Sequence, residues 1–180
     1  MRLVIPDPAL VLLVGVAGSG KSTFARKHFL PLEILCSDFF RGLVSGDEND
    51  QSATRDAFAI LHLVVAKRLA RRRLTVVDAT NVQRRARRPL LMLARRYNVP
   101  AVAIVLRVPL KLCQERNRAR ADREVALEVM RRQARELRRS LGSLPREGFQ
   151  QVYVLRSHEQ ATADIVRAPM PVPGGPDTLL

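Results

Sequence analysis

The stretch Gly15-Val16-Ala17-Gly18-Ser19-Gly20-Lys21-Ser22-Thr23 follows the apolar run Leu10–Val14 and opens a helical pattern over residues 21–29. Its spacing is G-x-x-x-x-G-K-[ST], set between strand and helix. Such a loop cradles phosphate: glycines let backbone amides curl around the anion, the helix N-terminus adds partial positive charge, and Lys21 reaches the β and γ phosphates. A glycine-rich turn without a ligand does not account for a lysine followed by two hydroxyls. Gly15, Gly18, Ser19, Gly20, Lys21, Ser22 and Thr23 are therefore the candidate nucleotide contacts, with Ser22 a ligand of Mg²⁺.

Outward from this loop, short apolar runs alternate with longer helical patterns, the signature of βαβ units and a parallel sheet. Strands are expected at residues 10–14, 34–36, 74–77, 101–106 and 151–155. Helices are expected at 21–29, 51–72 and 83–97, with Pro89 splitting or starting a segment of the last. Residues 110–140 read as helical with a break near Ala121 and Asp122, ended by Gly142, and residues 159–167 read as a final helix. From residue 168 the run of Pro and Gly has no periodicity and suits a tail or interdomain linker. The expected organisation is one domain over 1–167 and a tail over 168–180, with the fold a three-layer α/β P-loop domain: a parallel five-stranded sheet and a helical lid.

Thirty-one basic against 17 acidic residues give a formal net charge of +14. That field attracts polyanions, nucleic acid first and acidic lipid second. All but Lys21, Lys27, Lys67 and Lys111 are arginine, an excess that base composition also produces, so charge alone does not choose a partner. Cys36 and Cys113 are isolated, without zinc spacing or the density of a disulfide scaffold. No apolar run approaches the roughly 18 residues of a membrane span. These features point to a cytoplasmic protein with no membrane partner.

Three further groups carry candidate chemistry. Asp38 stands just past the end of the second strand, where open parallel sheets bind ligands; there it could take the proton of an attacking hydroxyl, or cap a loop. Arg41, three residues on, could hold an anionic feature of the same acceptor. Asp78 closes the third strand at a Walker-B-like position, suited to aligning Mg²⁺ in its second shell, with turn capping as the rival. Arg116, Arg120 and Arg123 share one face of a continuous helix by their i, i+4, i+7 spacing, and such a face could close over the β and γ phosphates as a lid. In so arginine-rich a chain the same spacing also arises on a solvated face. The clusters over 84–88 and 131–139 read as solvated faces, and His28, His62 and His158 carry no assigned chemistry.

Together, GVAGSGKSTFARKHF, SDFFRGLVSGDENDQSAT, LTVVDATNV, CQERNRARADREV and LPREGFQQVYVL resemble the kinase domain of bacterial polynucleotide kinase-phosphatase, in order and spacing, over residues 3–166. The resemblance implies a 5′-OH polynucleotide kinase, moving the γ phosphate of ATP or GTP to 5′-OH ends of RNA or DNA during end healing. It implies Asp38 as general base, Arg41 on the phosphate next to the terminal nucleoside, Lys21 and Ser22 on phosphates and Mg²⁺, and Arg116, Arg120 and Arg123 as the lid. In that family phosphatase and ligase-like domains follow; neither is present here. A homo-oligomer is compatible with the sequence. A small-molecule P-loop kinase and an NTP-regulated RNA-binding module remain the alternatives.

Overall fold

The computed structural model describes residues 1–119 and 125–169. Its chain runs β1 (Arg2–Asp7), β2 (Leu10–Val14), α1 (Lys21–His28), β3 (Ile34–Cys36), α2 (Ser37–Ser45), α3 (Thr54–Ala70) and β4 (Thr75–Asp78). It continues α4 (Arg84–Arg96), β5 (Ala101–Arg107), α5 (Leu110–Arg118), α6 (Leu127–Leu141), β6 (Gln151–Arg156), α7 (Ser157–Thr162) and β7 (Asp164–Pro169). Five of the strands form one all-parallel sheet in the order β3-β4-β2-β5-β6. All five are the strands expected from the sequence.

β2 is buried at every position because it lies between β4 and β5 and is covered on both faces. Its residues alternate between two cores: Leu10, Leu12 and Val14 face the side covered by α3, α4 and α6, while Val11 and Leu13 face α1 and β1. From β2 the chain first crosses to β3 and β4 on one side, then to β5 and β6 on the other. The carboxyl end of β2 is thus the switch point where the crossovers diverge, the place where such sheets bind ligands. The glycine loop leaves β2 there, and the register sets Asp78 beside both Leu13 and Cys36.

The ends of the chain depart from expectation. Residues 164–169 form a parallel strand paired with β1, from Arg2↔Asp164 to Asp7↔Pro169, so the final helix stops at Thr162 and the strand passes residue 167 by two positions. Leu3 and Ile5 are fully buried under this ribbon, and Tyr153 pins it by accepting from the Val4 amide (3.0 Å) and donating to the Val4 carbonyl (2.9 Å). Arg167 closes the far side on Glu33 at 2.8 and 2.7 Å. Residues 170–180 lie outside the described residues.

Pro89 neither splits nor starts a helix: α4 runs through it. The buried stripe Arg87, Leu90, Leu91 and Ala94 holds that helix to the core and outweighs the single lost amide donor. Helix α2 has no counterpart in the sequence reading, and α3 begins at Thr54 after a short 3₁₀ turn at Gln51–Ala53.

Candidate active site

Gly15 donates its amide to the Thr80 carbonyl at 2.9 Å, which ties the start of the loop to the segment after β4. Gly18 and Gly20 adopt φ of 78° and 92°, the left-handed region that a side chain resists. Those two turns roll the loop over Lys21, which is buried and donates to the Gly15 and Val16 carbonyls at 3.0 and 2.9 Å. Ser19 is fully buried within the curl. The Ala17 amide donates to Gln133 Oε1 of α6 at 2.9 Å, so a helix from the far side of the chain also holds the loop.

Asp38 sits in the first turn of α2, directly after β3. Its carboxylate accepts from Arg41 Nη2 and from the Ser37 hydroxyl, the latter at 3.4 Å. Arg41 is buried, and its Nε donates to the Glu48 carbonyl at 2.9 Å. Its guanidinium therefore faces Asp38 and the following loop rather than open solvent. Asp78, buried at the end of β4, completes the group. One small cleft of about 50 Å³ is lined by Lys21, Ser22, Asp38, Asp78 and Thr80, so the residues singled out around the ends of three strands share one site.

Mg²⁺ prefers oxygen ligands and keeps several waters, with phosphates supplying much of its shell. The Ser22 hydroxyl and the Asp78 carboxylate in this cleft fit that habit. Among the described residues there is no group of three or more His, Cys, Asp or Glu that could hold a metal ion. Burial, with the Asp78 charge adding to it, pushes the Cys36 thiol up and keeps it protonated.

A larger cavity of about 490 Å³ opens on the other side of the loop, lined by Gly20, Thr23, Lys27, Arg116 and Gln160 among others. Arg116 projects from α5 toward the loop: its Nη1 lies 3.6 Å from where a Cβ on Gly20 would be. Lys27 donates to the Ala161 carbonyl at 2.8 Å and so bridges α1 to α7. Gln160 Nε2 is buried without a hydrogen-bond partner among the described residues. Lys27 and Gln160 went unnoticed in the sequence, where no spacing marks them, because α7 is six residues long and meets α1 only in the fold.

Of the three candidate lid arginines, one falls within the described residues. Helix α5 ends at Arg118 with Ala119 as its cap, so Arg116 is on it, while Arg120 and Arg123 lie outside the described residues. The arginines at 84–88 are not one solvated face. Arg87 is fully buried, donating to Glu147 at 2.8 and 2.6 Å, to the Asn81 carbonyl at 2.6 Å and to Ser140 at 3.2 Å.

A family model described as an AAA domain matches residues 10–144. A chain in a structure of the Pnkp1/Rnl/Hen1 RNA repair complex superposes with a TM-score of 0.66 at 22% identity over 77% of this chain. A second structure of that complex gives 0.53 at 25% identity over 66%. This chain spans less than half of those two, 47% and 41% of their lengths. A gluconokinase from Sinorhizobium meliloti 1021 superposes with a TM-score of 0.52 at 18% identity, over 85% of each chain. No curated protein matches the sequence. Among the described residues no helix is long and apolar enough to cross a membrane.

Proposed function

The chain belongs to the AAA domain family, and from that premise we propose that it is a 5′-OH polynucleotide kinase, using Mg²⁺ and ATP or GTP to phosphorylate RNA or DNA ends. The single observation that carries the proposal is the cleft that holds Asp38 beside Lys21 and Ser22. A carboxylate at the mouth of a phosphate loop is what alcohol phosphorylation requires, because positioning and charge stabilisation carry most of phosphoryl transfer.

In this reading the triphosphate lies along the amides of residues 15–23, with its nucleoside in the cavity beside Lys27 and Gln160. Lys21 exchanges a loop carbonyl for oxygens of the β and γ phosphates. Ser22, with Asp78 behind it, would hold Mg²⁺, which when bound would supply charge neutralisation at the phosphates. Asp38, aimed by Arg41, accepts the proton of the terminal 5′-hydroxyl. The oxygen attacks the γ phosphorus, the bond from that phosphorus to the bridging oxygen breaks, and a nucleoside diphosphate leaves. Arg41, besides aiming Asp38, contacts the phosphate next to the terminal nucleoside. Arg116 covers the triphosphate, with Arg120 and Arg123 assigned to the same lid.

The RNA repair complexes named above support a polynucleotide acceptor, and the gluconokinase marks the competing class. Transfer of label from γ-labelled ATP or GTP to a 5′-OH oligonucleotide tests the proposal. Labelling of a polyol or other small alcohol, with none of the oligonucleotide, would replace it with a small-molecule kinase.

A further inference from the structure

The cleft at Asp38 does not end there. Thr80, which walls it, also walls a second hollow of about 370 Å³ that includes Arg85 and Arg132, and Arg85 in turn walls a third of about 910 Å³. The third is a trough with Arg84, Arg85, Arg88, Arg95 and Arg146 along its sides and Leu91 and Met92 in it. Neighbouring hollows share one wall residue each, Thr80 and then Arg85, so the three lie in series from the Asp38 cleft along α4.

The charge of that path is one-sided. Glu147 lines the trough, but its two oxygens are taken by the buried Arg87 and by Ser143 at 2.7 Å. Glu136, in the middle hollow, is matched with Arg139 at 3.5 Å. Among the described residues Arg84, Arg85, Arg88, Arg95 and Arg146 have no carboxylate within 4.0 Å. Arg84, Arg85 and Arg88 stand at the N-terminal end of α4, which has no acidic residue in its first turn. The helix macrodipole is positive at that end and disfavours cations there, against which stand only the Arg85 bond to Gln83 Oε1 at 2.7 Å and the attraction of Arg84 to the Glu147 charge that Arg87 already holds. An anion in the trough reverses the sign.

We propose that this arginine-walled path is the track for the single-stranded backbone of the acceptor, entering at Arg95 and Arg146, passing Arg85, and delivering its 5′ end over Thr80 to Asp38. The inference rests on the polynucleotide-kinase reading and adds to it the surface that makes a long strand a better acceptor than a short one. From Arg84 to Arg95 the helix is roughly 16 Å long, enough to face several backbone phosphates. Guanidinium forks to phosphate carry no base readout, so the track accepts any sequence.

The test uses Arg84→Glu, Arg85→Glu and Arg88→Glu together. Glutamate in the first turn favours the helix, so the variant keeps its fold, and a melting curve checks this. Arg85→Gln with Arg88→Gln is the milder second variant. Binding of a labelled 12-nucleotide single strand is followed by anisotropy across a salt series without NTP, and steady-state transfer is compared for 5′-OH dinucleotide and 12-mer acceptors. The triple variant should bind the 12-mer at least tenfold more weakly, with its log–log salt slope shallower by about 2, since each lost phosphate contact removes about 0.7. KM for the 12-mer should rise in step while kcat, and KM for the dinucleotide, stay at wild-type values. The Gln pair should show the same pattern at smaller size.

A matched triple on α6, Arg131→Glu, Arg135→Glu and Arg138→Glu, removes equal charge elsewhere. Equal weakening by that triple, an unchanged Kd and slope in the α4 triple, equal loss for dinucleotide and 12-mer, or no 12-mer binding by the wild type would each overturn the track. Arginine-dependent binding with no labelling of any oligonucleotide would instead retain the track and overturn the kinase reading.

Discussion

Gly18 lies so close to Cys113 that a Cβ on it would collide with the Cys113 carbonyl oxygen. The loop and helix α5 therefore meet backbone to backbone at Gly18, and Arg116, one turn further along α5, is carried over the loop by that contact. Gly18→Ala forces α5 away and also places alanine at a φ of 78°, together destabilising by about 1 kcal/mol or more. Nucleotide affinity should fall at least tenfold, measured calorimetrically, with a lower melting temperature in the absence of nucleotide. Wild-type affinity in this variant would mean that the α5 contact is irrelevant to the site.

Asp38→Asn separates binding from chemistry. The amide fills the same space, but it cannot take the hydroxyl proton, so kcat should fall by about 10²–10⁴ while nucleotide affinity stays near wild type. Lys21→Ala should instead weaken nucleotide binding and abolish transfer, if, as proposed, its ammonium meets the phosphates themselves. Turnover of Asp38→Asn at the wild-type rate with saturating acceptor would remove Asp38 from the base role.

The sheet was legible because its evidence is local. Five apolar runs of strand length, each followed by a helical pattern, leave few arrangements, and the glycine loop marks the switch point. Lys21, Ser22, Asp38 and Asp78 could be gathered from sequence for the same reason: Asp78 ends a strand, and the others open the helices that follow the strands on either side of it in one parallel sheet. The β1–β7 ribbon was not legible, since its strands pair across more than 160 residues and Pro6 and Pro8 disguise the first as a loop. Arg87 was hidden by its neighbours. Among so many arginines nothing in the sequence distinguishes the one that turns inward, because its partner Glu147 arrives 60 residues later.

Arg87 and Glu147 should dominate the response of the fold to acid. Burial by itself would raise the Glu147 carboxyl, but hydrogen bonds from Arg87 and Ser143, with the Arg87 charge, outweigh it and hold the group below its ordinary value. A depressed carboxylate stabilises the fold in full above its unfolded pKa of about 4.5, and that contribution is lost as the pH falls through the folded value. Arg87→Ala leaves a buried charge without its partner, a loss of about 3–5 kcal/mol, or roughly 10 °C in melting temperature for a domain of this size. The gap in melting temperature between wild type and Glu147→Gln should be widest near neutral pH and close as the pH drops below about 4.5. A gap that grows on acidification would contradict the assignment.

The lid is the last point at which the bland and functional readings of an arginine part. Arg116 and Arg118 are two residues apart on the same short helix and both are exposed, yet only Arg116 lines the cavity beside the loop and approaches Gly20. If Arg116 meets the γ phosphate as its charge develops, Arg116→Ala should slow transfer by about 10³ or more, the range of an arginine finger. Arg118→Ala should remain within a few-fold of wild type. Arg116→Lys should recover part of the loss, because an ammonium restores charge without the planar two-pronged contact. Rates taken at saturating NTP and oligonucleotide, with melting curves for each variant, decide the matter. Equal rates for the two alanine variants would reduce Arg116 to one more solvated cation and leave any lid to Arg120 and Arg123.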